Sequence, residues 1–433
     1  MKYPKILIIG QYFTTRSGGG ITLSNLFKEW KRENIAVAAK DIQNPNISVC
    51  NKYYQLGSLE LKKRFPFNIK TRGGRVESGP LTEIATYTHI DNNVTTEKSA
   101  WFKKIYTWFL YFTGLNNYRW RIQISEEFLS WIKEYSPDII YSQLSSIELI
   151  DFVSDLKSTL DIPVAIHIMD DWPIAICKKG IFKFFWHRKA DRKFRKLLAN
   201  SEIFLSISGA MSEEYRLRYN KNFIPFHNPI DLQQWTPFSK SDYDLKGVFI
   251  ILYAGRIGIG IRNSLIDVAE AINILAIKGF NIEFHIQSIR FDPVIDKLKN
   301  YKFVKLLDPV SYEELPEIFS KSDVLLLAND FDEKSISFLR YSMPTKASEY
   351  MASGSPILLY SSNETAVTKH ALKNNWAYVV SEKDKTKLVT GIYRLYEDKE
   401  LRVKLGTTAK QFAINNYDSA IVRDNFRKTF ILK

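Results

Sequence analysis

Short apolar runs alternate with helix-like stretches twice along this chain, and a proline-broken segment separates the two series. The first opens with KILIIGQYF (5–13), passes Gly18-Gly19-Gly20 into a helical pattern from Thr22 to Arg32, and returns to an apolar run over 35–41. Residues 43–98 are less regular. A helix from Trp120 to Tyr135, strands over 138–143, 163–171 and 203–208, and helices near 146–159, in the basic stretch after 178 and from about Met211 complete the series. HNPIDLQQWTP (227–237) then interrupts with two prolines and reads as a linker. The second series begins with VFIILYAGR (248–256). It carries strands over 282–288, 302–308, 324–329 and 356–361, with helical patterns over 265–278, 312–321 and 345–352, and closes in helices from about 383 to 430. Such alternation builds parallel sheets covered by helices on both faces. The expected fold class is α/β, with two doubly wound, Rossmann-like domains facing a central cleft. The expected domains are 1–230 and 231–412, followed by a final helix at 413–433.

With 433 residues, 45% of them hydrophobic and 25% charged, the chain has the composition of a globular protein. That excludes a disordered, collagen-like or disulfide-stapled chain. Its two cysteines, Cys50 and Cys177, are far apart and lack metal-ligand spacing, so neither a zinc site nor an oxidising compartment is expected. No metal or other cofactor is expected. The apolar run at 6–9 is shorter than a signal-peptide core, and no run approaches the roughly 20 residues of a spanning helix. The expected location is the cytoplasm, possible contact being with the inner face of the membrane.

The net charge is +14, and residues 1–230 hold 33 basic against 22 acidic residues. Two segments concentrate the excess. WFKKIYTWFLYFTGLNNYRWR (101–121) has four basic residues and no acid, and KKGIFKFFWHRKADRKFRK (178–196) has nine against Asp191 alone. Aromatic rings interleave with the cations in both, which suits an anionic membrane surface. A solvated basic face over a core-facing aromatic stripe is the simpler alternative. Nucleic acid is the rival partner for a basic surface, but the sequence holds no recognition module for it, so no nucleic-acid partner is expected.

The chemistry-bearing residues lie at strand ends and helix starts. Gly18, Gly19 and Gly20 follow the first strand and would let backbone approach a phosphate at a helix N-terminus. They do not form the GxGxxG dinucleotide fingerprint. Arg256 ends the strand VFIILYAGR, and Arg262 follows six residues later; two guanidinium groups there could clamp a diphosphate. In SMPTKASEYMASGSPILLY (342–360), Pro344 suits a helix start. Thr345 and Lys346 then sit where phosphate oxygens are bound, and Glu349 one turn on could accept two sugar hydroxyls. On the other half, His167 ends its strand, with Asp170 and Asp171 just after it.

This ordered set resembles the GT-B glycosyltransferases, closest to glycosyltransferase family 4 of bacterial polysaccharide and lipopolysaccharide biosynthesis: a glycine-rich first loop, NPID, YAGR with a basic residue six on, and PTKASEYMASGSPIL. The resemblance covers nearly the whole chain, and 342–360 is its most specific part. It implies transfer of a sugar from a nucleotide-diphosphate sugar to a hydroxyl of a glycan or lipid-linked glycan, with retention and without a metal. Arg256 would stabilise the leaving diphosphate, aided by Arg262 where the family usually has lysine. Gly18 to Gly20, Thr345 and Lys346 would hold donor phosphates and Glu349 the ribose. His167 would face the cleft and contact the sugar or the acceptor, Asp170 or Asp171 would orient a hydroxyl, and the final helix at 413–433 would cross back onto the first domain. The family often has a second glutamate eight residues before the one matching Glu349; Tyr341 stands there. The alternatives are a GT-B epimerase or hydrolase acting on the donor alone, and a non-enzymatic basic membrane-binding protein.

Overall fold

A computed structural model describes residues 3–14, 18–65, 67, 76–81, 97–176, 180–258, 260–288 and 292–431. The chain divides into two units, Met1–Pro225 with Asn425–Lys433, and Phe226–Asp424.

The first unit is built on an eight-stranded sheet. Its strands are β1 (Ile6–Ile9), β2 (Ile35–Ala39), β3 (Tyr53–Gln55), β5 (Gly79–Pro80), β7 (Ile139–Ser142), β8 (Val164–Ile168), β9 (Ile203–Ser206) and β10 (Ile224–Pro225); a separate antiparallel pair joins β4 (Leu61–Lys63) to β6 (Trp120–Ile122). The sheet order is β10-β9-β8-β7-β1-β2-β3-β5, parallel throughout except where β5 meets β3. Ile6 of β1 lies between Ile35 and Ile139. β1, β2, β7 and β8 are buried on both faces, which is why they read as continuous apolar runs rather than alternating ones. Helices start where short polar side chains cap them: Ser125, Ser146 and Ser208 each accept a hydrogen bond from the backbone three residues on.

The second unit is a six-stranded parallel sheet in the order β13-β12-β11-β14-β15-β16. Its strands are β11 (Phe249–Ala254), β12 (Ile282–Gln287), β13 (Val304–Leu307), β14 (Val324–Ala328), β15 (Ile357–Tyr360) and β16 (Tyr378–Val380). Alternate side chains feed two cores. Phe249, Ile251, Tyr253, Val324 and Leu326 enter one with the helix Arg262–Ile277. Leu252, Leu325 and Leu327 enter the other with the helix Thr345–Ser353.

Three expectations need correction. The domain break falls at Pro225 rather than 230, because the NPID segment is bonded into the second unit: Ile230 bridges to Asp418 and the Asn228 carbonyl accepts from Ser348 Oγ at 3.0 Å. Of the expected crossing helix at 413–433, only Asn425–Lys433 joins the first unit. There Phe426 packs edge-on against Phe27 at 5.1 Å, and Phe430 against Trp30 at 5.6 Å. The helix expected from Trp120 begins at Glu126, because Trp120–Ile122 is drawn into pairing with Leu61–Lys63. Cys177, Lys178 and Lys179 lie outside the described residues.

Helix Lys399–Tyr417 approaches helix Thr345–Ser353 through Gly406. A Cβ at that position would lie 2.2 Å from the Gly354 carbonyl oxygen and 2.6 Å from Tyr243 Oη. Gly406→Ala is therefore expected to destabilise the protein by about 3 kcal/mol through overpacking, read as a lower urea midpoint.

Candidate active site

In parallel sheets of this kind, ligands bind beyond the carboxyl ends of the strands where the strand order reverses. In the second unit that point lies between β11 and β14. Gly255 and Arg256 follow β11, and Asn329 and Asp330 follow β14. Gly255 has φ +137°, a conformation costly for any side chain. Its bare backbone also makes room for Lys346, whose Nζ lies 3.3 Å from where a Cβ would stand.

The loop after β11 is pinned from behind. Asp330 Oδ1 accepts from the Ser264 amide at 2.8 Å, Ser264 Oγ donates to the Asn329 carbonyl at 2.7 Å, and the Asp330 amide donates to Gly260 at 2.6 Å. Burial raises the Asp330 carboxyl above its usual range. Tyr253 Oη donates to the Arg256 carbonyl at 2.7 Å, which holds the backbone at the strand end. The Arg256 side chain is exposed and pairs with no carboxylate among the described residues. It is a cation available to an anionic ligand.

Helix Thr345–Ser353 brings Lys346 and Glu349 to the same end of the unit. Pro344 precedes it in an extended conformation, and the start of a helix carries the positive end of its dipole. Lys346 Nζ lies 3.8 Å over the ring of Tyr253 and donates to the Ala254 carbonyl at 3.3 Å. Loss of water around this ammonium lowers its pKa to about 7, against an opposing pull from Glu349. Glu349 is 5% exposed and accepts from Tyr312 Oη at 3.1 Å and Asn228 Nδ2 at 3.3 Å, both at Oε1. Burial raises its pKa to about 7, opposed by Tyr312, Lys346 and Asn228. Burial thus opposes the charged form of both groups at this end of the unit.

Arg262 does not join this group as expected. It is the first residue of its helix, but its Nε and Nη2 fork onto the carboxylate of Asp292 at 2.7–2.9 Å, so its charge is already matched.

In the first unit the strand order reverses between β1 and β7. Gly18, Gly19 and Gly20 are the opening residues of a helix here, not a free loop. A Cβ on Gly19 would lie 3.6 Å from Gln143 Oε1 and 4.0 Å from Gln11 Nε2, which places the glycine helix start at the end of β7. The sequence reading does not single out Gln143; its place as the last residue of the strand expected over 138–143 is the available signal.

His167 is fully buried within β8, and its Nδ1 lies 2.6 Å from Tyr141 Oη. Gln143 Nε2 donates to the same hydroxyl at 3.3 Å. Burial lowers the His167 pKa to about 3, so the ring is neutral. The structure thus gives it a place in the sheet core rather than the open cleft face expected. Asp171 is likewise buried: both its oxygens receive Arg218 at 2.8–2.9 Å, and Tyr215 Oη donates at 3.0 Å. Asp170 is the exposed member of the pair. Asp171→Ala is expected to cost about 3 kcal/mol, because it removes the two-pronged partner of Arg218 and leaves that guanidinium only Glu214; chemical denaturation reads this.

Comparison with known proteins extends these observations. Residues 287–412 match the family model described as glycosyl transferases group 1. No curated protein matches the chain in sequence. Among solved structures, a glycosyltransferase from Rickettsia africae is similar at 13% identity, covering 100% of both chains, with a TM-score of 0.63. Anabaena HepE, in complex with UDP and glucose, is similar at 10% identity over 99% of each chain, with a TM-score of 0.60. WaaG, a glycosyltransferase involved in lipopolysaccharide biosynthesis, is similar at 10% identity, covering 99% of this chain and 100% of WaaG, with a TM-score of 0.55. The chain has the GT-B fold. The residues that match the family model lie in its second unit and include helix Thr345–Ser353 with Lys346 and Glu349.

Proposed function

We propose that this protein transfers a sugar from a nucleotide-diphosphate sugar to a hydroxyl of a glycan or lipid-linked glycan, in surface polysaccharide biosynthesis. One observation carries the reading. Arg256, an unpaired cation at the end of β11, shares the switch point of its sheet with Lys346 and Glu349, and these two lie in the segment that matches the family model. HepE with its UDP and glucose, and WaaG with its role in lipopolysaccharide biosynthesis, support a nucleotide-sugar donor and a glycan acceptor.

In this reading Arg256 and Lys346 neutralise the diphosphate as the bond from the anomeric carbon to the phosphate oxygen breaks. These cations, with the helix start at Thr345, supply the charge without a metal. Glu349 holds the ribose hydroxyls. The acceptor oxygen bonds to the anomeric carbon on the face the phosphate leaves, and its proton passes to the departing phosphate oxygen. Retention follows without a covalent intermediate, and no fixed general base is required. Asp170 remains the acceptor-side candidate, because it is exposed whereas Asp171 is buried. Exposed basic and aromatic residues of the first unit support a lipid-linked acceptor at a membrane face.

The test follows nucleoside diphosphate release from a panel of nucleotide sugars, with and without lipid-linked oligosaccharide. Release that depends on acceptor, with a product of unchanged anomeric configuration by NMR, is expected. Turnover of the donor alone would point to the epimerase or hydrolase instead, and an inverted product would overturn retention.

A further inference from the structure

We infer that the aromatic ends of helices Glu97–Thr113 and Lys183–Ala199 form one surface that docks on an anionic lipid interface. This does not rest on the glycosyltransferase reading.

The two segments are far apart in sequence and joined in space. The Phe112 carbonyl accepts from the Ile181 amide at 3.2 Å, and Trp186 Nε1 donates to the Thr113 carbonyl at 2.9 Å. Gly180 lies between them at φ +134°, and a Cβ on it would stand 2.2 Å from the Phe112 oxygen. Only glycine lets the backbone of these two segments close so tightly. Trp186 is buried beneath it with Leu115 and Tyr118.

Above that anchor the side chains face outward. Trp101, Ile105, Trp108 and Phe112 recur at helical spacing and are all exposed, Trp108 to 62%, with Trp108 stacked on Phe112 at 4.9 Å. They form one stripe along the helix. The turn before the second helix adds Ile181 and Phe182, and the helix adds Phe184 and Phe185, with Phe184 74% exposed. So much contiguous aromatic surface left in water marks an interaction site.

Charge decides which partner it fits. Lys104, Lys183 and Arg188 are exposed around the stripe, and Lys189 lies over the rings of Tyr118, Phe185 and Trp186. Residues 101–125 contain no acid, and Asp191, the one acid of 178–196, is paired with Arg195. A second copy of this chain would bring like charge against like. Ile105 and Ile181, within the patch, offer nothing to a base or a phosphate. An anionic bilayer meets every element: rings and aliphatic groups enter the interface, and ammonium and guanidinium groups reach the head groups. None of the described helices is long and apolar enough to cross a membrane, so the contact is peripheral.

The test uses the full chain sedimented with phosphatidylcholine vesicles, with and without phosphatidylglycerol. Binding to the anionic vesicles is expected, weakened by added salt. Trp108→Ser with Phe184→Ser removes apolar contact, and Lys183→Glu with Arg188→Glu reverses charge. Each pair is expected to lower the partition at least about tenfold, with melting temperature and nucleotide-induced stabilisation unchanged. Absence of binding, equal binding to neutral vesicles, or variants that bind like the parent would overturn the proposal. So would a dimer in analytical ultracentrifugation that Trp108→Ser with Phe184→Ser dissociates, or a single-stranded oligonucleotide bound in place of vesicles.

Discussion

Arg256→Ala is expected to lower kcat for sugar transfer about a thousandfold, while nucleotide affinity falls only about tenfold. The asymmetry follows from where charge develops. The diphosphate is already anionic in the bound donor, so several groups share its binding. Further negative charge arises on the leaving oxygen only as the sugar departs, and a preorganised guanidinium acts chiefly on that increment. Arg256 suits the role because its backbone is held by Tyr253 while its side chain is unpaired. Arg256→Lys should recover part of the rate, since it restores charge without the planar fork. Arg262→Ala, by contrast, should leave kcat within about threefold, because Asp292 already matches that charge. Single-turnover measurements with saturating donor separate the chemical step from binding. A loss confined to KM in Arg256→Ala would assign this residue to binding alone.

Glu349→Gln is expected to weaken nucleotide-sugar binding about thirtyfold, by removing a charged acceptor from the ribose. Its effect on the empty protein has the opposite sign. Glu349 has its pKa raised to about 7 by burial, so the folded state prefers the protonated form. The stability this lends is complete below the ordinary carboxylate range and is lost as pH rises through about 7. Glutamine has no charge to bury and still offers an oxygen to Tyr312 and Asn228. At pH 8 the variant should therefore melt roughly 2 °C higher than the parent, a difference that vanishes near pH 4.5. Better stability with poorer binding is the mark of a group kept for its ligand.

The same two residues shape the pH dependence of binding. In the proposed function the donor diphosphate would need Lys346 charged, and that form declines above about pH 7. Ribose recognition would need Glu349 ionised, and that form declines below about pH 7. Affinity for a nucleotide sugar should be highest near pH 7 and fall on both sides, as a coupled pair demands. Calorimetric titration between pH 5.5 and 8.5 would show the curve, in steps of roughly half a unit.

Much of this was legible in the sequence where a signal is local. Strands such as Ile6–Ile9 and Val324–Ala328 are apolar on both faces, so they announce buried parallel strands by composition alone. Helix Thr345–Ser353 carries its own start signal and two of the charged residues of the site, Lys346 and Glu349. What was not legible depends on residues far along the chain. Nothing near Arg262 foretells Asp292, and nothing near Asp171 foretells Arg218. His167 reads as a strand-end histidine until Tyr141 on the neighbouring strand is seen to hold it. Glu349 could be named, but Asn228, 121 residues away, and Tyr312 could not be assigned to it. Trp120–Ile122 has a helical pattern on one side and becomes a strand only because Leu61–Lys63 offers it an edge. Long-range partners override local preference in each case.

The central claim is that the second unit binds a nucleotide-diphosphate sugar through Arg256, Lys346 and Glu349. Thermal unfolding of the full chain with UDP, GDP and CMP and their sugars tests it most directly, because a ligand of the folded state alone raises the melting temperature. The account predicts stabilisation by one nucleotide series, diminished in Arg256→Ala and Glu349→Gln and retained in Arg262→Ala. Folded protein that responds to none of them at millimolar concentration, or a response that survives both substitutions, would contradict it.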